Sequence, residues 1–454
     1  MTRHDSMSTH RLAAVVPTWN EAAAIGDVVR GLRAAGVCCV LVVDAGSVDG
    51  TQEAARAAGG TVVHEPRRGY GRACLTGAQA AAGHELVAFL DGDGSCHPGD
   101  LARLEDAAAR ADVVLGRRRR TETDALPWHA RLGNDLVAAV LRVRGGRPVH
   151  DLPPFKLVRG DALAGLGLDD PGYGWTVQLV GRALTHPALR VVEAPTTFRR
   201  RAGGESKVSG RLGPSVRAGR AMLLQARAAT RRRGLMVLMA KAPRSGHSKT
   251  RLEADIGSDL TEGFWTACLR DAGVRLRRAA VAAGLDAAAM TPSPADAAEV
   301  RRLTGLPALV QRRPGLGQAL LDVSDLPAPF TIAVSADAPT LPEAYLRRAA
   351  RVLEQGQAVL GPGPDGGYYL VGQRRGLSRR RRERAYLEAP MGTTAVLAHT
   401  RAALGDPVLL PPWPDVDSAE ELRGLAEQLR GEPNLAPAVA AWLSDHGSGL
   451  EEAG

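Results

Sequence analysis

The stretch "LVAFLDGDGSCHPGDL", residues 86–101, decides the fold. It opens on a short apolar run with the composition of a strand. Two aspartates, Asp91 and Asp93, stand one residue apart where that run ends, each followed by glycine. Pro98 comes five residues after Asp93, and a helical pattern begins there. In sheets built from alternating strands and helices, ligands bind beyond the carboxyl ends of the strands. Two carboxylates at such an end can converge on one hard cation, with water and phosphate oxygens filling the other positions. Asp-Gly pairs also form plain turns, and on these residues by themselves both readings stand.

Outward from this stretch the pattern alternates. "LAAVVPT" (12–18) and "CCVLVVD" (38–44) read as strands; "EAAAIGDVVRGLRAAG" (21–36) and "GTQEAARAAGG" (50–60) read as helices. Such alternation predicts an α/β fold with a mostly parallel sheet. The plan then returns. Residues 86–116 and 330–361 each run strand, aspartate, proline five residues on (Pro98 after Asp93, Pro342 after Asp337), helix, and a strand ending in Leu-Gly. "DLPPFKLVRG" (151–160) is answered by "DGGYYLVGQ" (365–373). At 454 residues the chain exceeds one ordinary domain. The expected layout is a disordered tail at 1–10, a first domain at 11–228, a linker at 229–234 and a second domain at 235–432. A C-terminal helix and frayed tail at 433–454 complete it.

Bulk properties bound the function. The net charge of +9 favours anionic partners such as nucleotides, phosphates or an acidic membrane surface. Aromatic residues make up only 4%, so stacking platforms are scarce, no nucleic-acid-binding module is recognisable, and nucleic acid is not an expected partner. Nearly all positive charge is arginine; the lysines are Lys156, Lys207, Lys241 and Lys249. The five cysteines show no metal-ligand spacing, and Cys38 and Cys39 read as core residues. No signal peptide or spanning run is evident, so the reading is cytoplasmic, with at most peripheral contact at the inner membrane face. Oligomeric state is not legible.

"VVPTWNEAAAI" (15–25), "VVDAGSVDGT" (42–51) and the D-x-D-x-x-x-H-P spelling of Asp91, Asp93, His97 and Pro98 come in order. "VVLGRRR", "ARLGNDLVAAVLR", "DLPPFKLVRGDAL", "GYGWTVQLVGRAL" and "VVEAPTTFRRRAGGESKVSG" follow. Together, over about 11–225, these resemble the family 2 glycosyltransferases, most closely the dolichyl- or polyprenyl-phosphate sugar synthases. The resemblance implies a GT-A fold and a nucleotide-sugar donor. It implies that Pro17, Asn20, Glu21, Asp44 and Ser47 line the donor pocket, and that Asp91 and Asp93 hold Mg²⁺ or Mn²⁺ against the diphosphate. Arg117, Arg131, Arg200, Ser206 and Lys207 match positions that grip phosphate. An acceptor that is itself a phosphate, such as a polyprenyl phosphate, is a competent nucleophile without a general base; a small phosphorylated or hydroxyl compound is the other acceptor class. Three positions depart from the pattern: Ala45 stands for an aspartate, Lys156 for an arginine, and Gln178 for a glutamate expected to face the acceptor. The basic stretch 214–233 reads either as a route to a membrane surface or as an ordinary closing helix.

In the second half, "MAKAPRSGHSKTRLEADIG" (239–257) is a basic, glycine-containing loop after a strand, without Walker A spacing. With "RRPGLGQAL", "SADAPTL", "GPDGGYYLVG" and "PDVDSAEEL", it resembles the phospholactate guanylyltransferase-like family over about 235–430. That resemblance implies a second GT-A-like domain taking an NTP. Lys241, Gly246, Lys249 and Arg251 would form the phosphate loop, Asp337, Asp415 and Asp417 would be metal carboxylates, and Asp365, Gly366 and Gly367 an acceptor-side turn. His247 stands where relatives have arginine. Asp417 to Glu420 also reads as a plain helix start with a capping box. The overall expectation is two tandem GT-A-like, Rossmann-like domains in a bifunctional transferase. The alternatives are a second glycosyltransferase, a second domain that is only a scaffold, or a non-catalytic nucleotide-sugar sensor.

Overall fold

The structure is a computed structural model and describes residues 11–120, 128–202, 212–244, 246 and 249–452. The expected tail at 1–10 lies outside the described residues. The chain divides into two compact units, with the division between Arg231 and Arg232.

The first unit holds seven strands: β1 Leu12–Thr18, β2 Cys39–Asp44, β3 Thr61–His64, β4 Leu86–Phe89, β5 Val113–Arg120, β6 Lys156–Arg159 and β7 Val191–Phe198. They form one sheet in the order β3-β2-β1-β4-β6-β5-β7. Only β6 runs antiparallel to its neighbours. The strands read as continuous apolar runs because both faces are covered. Along β1, Ala13 and Val15 enter one core while Leu12, Ala14 and Val16 enter the other. Cys38 is exposed rather than in the core, because β2 starts one residue later, at Cys39.

The second unit repeats the plan with β8 Leu235–Met239, β9 Asp286–Thr291, β10 Ala308–Val310, β11 Phe330–Ser335, β12 Val359–Pro362, β13 Tyr368–Arg374 and β14 Val408–Leu409. Its order, β10-β9-β8-β11-β13-β12-β14, is the first order advanced by seven strands, and β13 is again antiparallel. The sequence echo is therefore a repeat of topology. Helix Pro437–Glu452 closes the chain and runs on through residues read as a frayed tail.

The antiparallel strand has a functional consequence. A parallel strand would bring its last residue to the ligand-binding rim. The reversed β6 brings its first, and the register pairs Lys156 with Phe89, two residues before Asp91.

Candidate functional site

In the first unit the loops after β1 and β2 are knitted by side chains. Asp44 is fully buried and accepts hydrogen bonds from Gly46 N and Ser47 N, both at 3.0 Å, from Gln52 Nε2 at 2.8 Å, and from Ser47 Oγ. Ser47 Oγ in turn accepts from Asn20 N at 2.8 Å, and Asn20 Oδ1 accepts from Val48 N at 3.0 Å. Asn20 adopts a left-handed φ of 54°, a conformation asparagine tolerates. Asp49 Oδ2 accepts from Ala22 N, capping helix Ala22–Ala34 from a different loop. Pro17, Asn20, Glu21 and Ser47 remain half-buried at the rim, while the Asp44 carboxylate is spent on its own loop.

Asp91 and Asp93 sit in the turn that leaves β4. Gly92 between them is obligatory, since a Cβ there would meet Thr18 Cγ2 at 2.5 Å. Asp91 Oδ1 is buried without a hydrogen-bond partner. Burial first, and Asp93 second, push the Asp91 carboxyl up to about 6, against the pull of Lys156 and Tyr70. Asp93 accepts from Ser95 N at 2.9 Å through Oδ1 and pairs with Arg201 Nη2 at 2.6 Å through Oδ2. Glu21 lies 3.9 Å from the same guanidinium. An orphaned carboxylate oxygen beside a second carboxylate fits a divalent cation, because such an oxygen is costly to bury unless something pairs with it. Among the described residues no group of three or more His, Cys, Asp and Glu forms a ligand set, so other ligands of a cation here would be water or substrate oxygens.

Lys156 is fully buried, with Nζ 3.2 Å from Tyr70 Oη and 2.9 Å from Thr176 Oγ1, over the rings of Tyr70 and Trp175. Burial lowers its ammonium, and Asp91 is among the groups that raise it again. The arginine runs divide by role. Arg118 is clamped to Asp151, with Nε to Oδ2 at 2.7 Å, while Arg117 and Arg119 are exposed. In the second run Arg201 reaches the aspartates, and Arg199 and Arg200 are exposed. Arg131 is half-buried on helix Trp128–Gly145; Ser206 and Lys207 lie outside the described residues. Gln178, read as standing for an acceptor-facing glutamate, has its amide engaged within the protein. It is buried, and its Oε1 accepts from Asp169 N and Asp170 N at 2.9 and 3.1 Å, shaping the loop before its own helix.

In the second unit Ser335 stands where Asp91 stands in the first, so one carboxylate, Asp337, leaves β11. Lys249 Nζ lies 2.6 Å from Asp337 Oδ1, 2.7 Å from Asp417 Oδ1 and 2.7 Å from Val416 O, with 3% of the side chain exposed. The expected phosphate ligand is thus engaged between two of the expected metal carboxylates. Burial pushes the Lys249 ammonium down, and Asp337 and Asp417 more than offset it. Burial and Asp417 push the Asp415 carboxyl up to about 6. Lys241 and Arg251 are exposed, and Gly246 has a φ of 71° with open space where a Cβ would be; His247 lies outside the described residues. Asp365 Oδ1 accepts from Gly367 N at 2.9 Å, and a Cβ on Gly366 would strike Thr394 O at 2.4 Å. The capping box at Ser418 and Glu421 is fully formed.

Sequence reasoning missed Arg201, Tyr70 and Thr176. The run Arg199–Arg201 was a signal for the first, but nothing local separates its members; the others meet Lys156 only through the sheet register.

The family described as "Glycosyl transferase family 2" matches residues 13–165, and "Uncharacterized protein conserved in bacteria (DUF2064)" matches residues 276–393. An uncharacterized glycosyltransferase of Mycobacterium tuberculosis is 39% identical over 211 residues, 46% of this chain and 95% of that protein. An undecaprenyl-phosphate mannosyltransferase of Micrococcus luteus is 34% identical, over 44% of this chain and 88% of its own. A polyprenol monophosphomannose synthase of Mycolicibacterium smegmatis is 32% identical, over 44% and 82%. Among solved structures, glucosyl-3-phosphoglycerate synthase of Mycobacterium tuberculosis with Mn²⁺, UDP-glucose and phosphoglyceric acid superposes with a TM-score of 0.41 at 22% identity. It covers 49% of this chain and 80% of its own.

Proposed function

Through its N-terminal half this chain belongs to glycosyl transferase family 2, and from that premise we propose that this half moves a sugar from a nucleoside-diphosphate sugar onto a polyprenyl phosphate. The observation that carries the reading is the orphaned, buried Asp91 oxygen beside Asp93 at the exit of β4. Asp91 and Asp93 would hold Mg²⁺ or Mn²⁺. Such an ion, when bound, neutralises the charge that develops on the departing nucleoside diphosphate. The remaining work falls to the chain. The interlocked loops of Asn20, Ser47 and Asp49 fix the rim on which the nucleotide rests. Lys156 adds a positive charge that opposes the rise burial and Asp93 impose on the Asp91 carboxyl. Arg117, exposed on β5, is available to a phosphate acceptor, and a phosphate oxygen attacks without a base. Two relatives whose names carry undecaprenyl phosphate or polyprenol monophosphomannose support this acceptor class over a small hydroxyl compound.

For the C-terminal half we propose a site for a nucleoside triphosphate on the loop of Lys241, Gly246 and Arg251, serving nucleotidyl transfer. Two exposed cations flanking a glycine with open space above it favour this over a scaffold.

The test combines UDP-, GDP- and dTDP-sugars with a short polyprenyl phosphate, with Mg²⁺, Mn²⁺ or chelator, and looks for the lipid-linked phosphosugar by mass. Cation-dependent product from one donor supports the reading. Donor binding with no product under any combination makes the half a nucleotide-sugar sensor instead. Thermal shifts with NTPs examine the second half in parallel, since a ligand of the native state stabilises it.

A further inference from the structure

Lys249 is seated in the second unit as a resident cation. An ammonium has three N–H donors. Those of Lys249 meet Asp337 Oδ1 at 2.6 Å, Asp417 Oδ1 at 2.7 Å and Val416 O at 2.7 Å, so none is left for a ligand. The side chain is 3% exposed, and Nζ lies 5.3 Å from the centre of the Trp265 ring. That ring is fixed by its own hydrogen bond, from Nε1 to Lys241 O at 2.9 Å. The backbone of Lys249, at the start of helix Thr250–Ile256, takes a left-handed φ of 56°. A lysine holds that conformation where its surroundings over-determine it. The carboxylates are fixed as well. Val416 N donates to Asp337 O at 3.3 Å, which ties the segment of Asp417 to the exit of β11. Ala419 N donates to Asp255 Oδ2 at 3.0 Å, which ties the same segment to the helix after Lys249. Ser335, in the place of Asp91, donates from its hydroxyl to Asp337 Oδ2 at 2.8 Å. Both oxygens of Asp337 are therefore spent within the chain.

We infer that the Lys249 ammonium takes the place of the divalent cation expected between Asp337 and Asp417, so that the C-terminal unit needs neither Mg²⁺ nor Mn²⁺. The two strand exits differ in the way this requires. In the first unit Asp91 Oδ1 is buried with no partner, and Arg201, with 25% of its side chain exposed, pairs with Asp93 from one side through Oδ2. In the second unit a hydroxyl donor stands where the first has that acceptor, and the ammonium bridges the two carboxylates. Asp415 does not complete a ligand set with them: among the described residues no group of three or more His, Cys, Asp and Glu is placed to hold a metal. An aromatic face suits an organic ammonium, whereas a hard divalent cation takes oxygen ligands. To enter here, such an ion must expel a buried ammonium whose donors are all satisfied. The inference corrects the expectation that Asp337 and Asp417 are metal ligands. It does not rest on reading this half as a nucleotidyltransferase.

The test uses the full chain carrying Asp91→Asn/Asp93→Asn, which takes the N-terminal carboxylates out of the count. The probe is Mn²⁺ alone, with the free ion followed by electron paramagnetic resonance. This chain is expected to show no Mn²⁺ site. Adding Lys249→Ala should create one and tighten Mn²⁺ by roughly tenfold or more, since two carboxylates then face one another without a cation. Asp337→Asn on top of that should abolish the new site. Lys249→Met keeps the stem against Trp265 and should give the same gain where the alanine variant fails to fold, as checked by its unfolding temperature in chelator. A Mn²⁺ site in the chain that keeps Lys249, lost on Asp337→Asn, overturns the inference. So does such a site that forms only when ATP or GTP is added, which would make the ammonium a placeholder for a metal-bound nucleotide. Folded Lys249 variants that gain no Mn²⁺ also overturn it, because something other than the ammonium then keeps the ion out. These readouts involve neither sugar transfer nor nucleotidyl transfer, so the failure of either of those readings is seen separately.

Discussion

Replacing Asp44 with alanine tests whether the donor-side rim is self-supporting. Its buried carboxylate accepts four hydrogen bonds, two from the backbone N–H groups of Gly46 and Ser47 and two from the side chains of Ser47 and Gln52. Ser47 and Gln52 are half-buried, so their side chains can turn to water when the acceptor is gone. The two backbone donors cannot. A hydrogen bond to a charged acceptor contributes about 1.5–3 kcal/mol, so losing two makes Asp44→Ala cost about 3–6 kcal/mol. For a unit of this size that is a fall in Tm of about 10 °C. Asp44→Asn keeps an oxygen for one donor and should lose roughly half as much. Calorimetry of the full chain without nucleotide measures the fall, and hydrogen exchange should locate it in residues 45–57. Under this argument the loss is present without any ligand. A Tm within about 2 °C of wild type, or a defect that emerges only on adding nucleotide, would refute it and return Asp44 to direct ligand contact.

Three further outcomes follow from the geometry. Asp93→Ala should lower sugar transfer by roughly a thousandfold while NTP-induced stabilisation of the C-terminal unit persists; joint loss would overturn the two-site reading. Lys249→Ala leaves Asp337 and Asp417 facing each other, partly exposed, and should lower the stability of the C-terminal unit by about 1–3 kcal/mol in chelator, read as a fall in its unfolding temperature, with partial recovery on adding Mn²⁺. Glu65 is held down to about 2 from an ordinary 4.5, chiefly by the Thr76 hydroxyl and, after the opposing effect of burial, by Arg67. Its folded value lies below its unfolded one, so its contribution, on the order of 2–3 kcal/mol, is complete above pH 4.5 and lost as pH falls toward 2. Glu65→Gln should therefore be less stable than wild type at pH 7 and converge with it in acid; a constant gap across that range would contradict the assignment.

Lys249 and Arg201 have a common lesson. In each unit the aspartate that precedes a proline by five residues, Asp93 or Asp337, is met by a cation of the chain itself. The cation comes from different places: from the segment after β7 in the first unit, and from the loop after β8 in the second. The repeat preserved the acid and the topology, not the origin of its partner. With Ser335 in place of Asp91, the second unit is also one carboxylate poorer at the strand exit.

What the sequence by itself determined is whatever depends on neighbours along the chain. Apolar runs covered on both faces, turns rich in glycine, and aspartates at strand exits are local patterns. They were enough for the α/β class, the tandem repeat and the position of Asp91 and Asp93, while the glycosyltransferase family came from the resemblance of whole motifs to known relatives. Tertiary structure decided what depends on partners far away in sequence. The reversed β6 carries Lys156 to the strand end that precedes Asp91, a pairing set by sheet register. Arg201, rather than Arg200, meets Asp93, because the segment after β7 is pinned to the aspartate turn by Arg199 N to Ser95 O and Ala202 N to Asp93 O. Asp44 and Gln178 have the residue types of ligand-facing groups and spend themselves on their own loops. Lys249 lies between carboxylates contributed from positions more than eighty residues away along the chain. A side chain's chemistry is written in the sequence, but whether it meets solvent, ligand or another part of the chain is set by packing between segments the sequence holds apart.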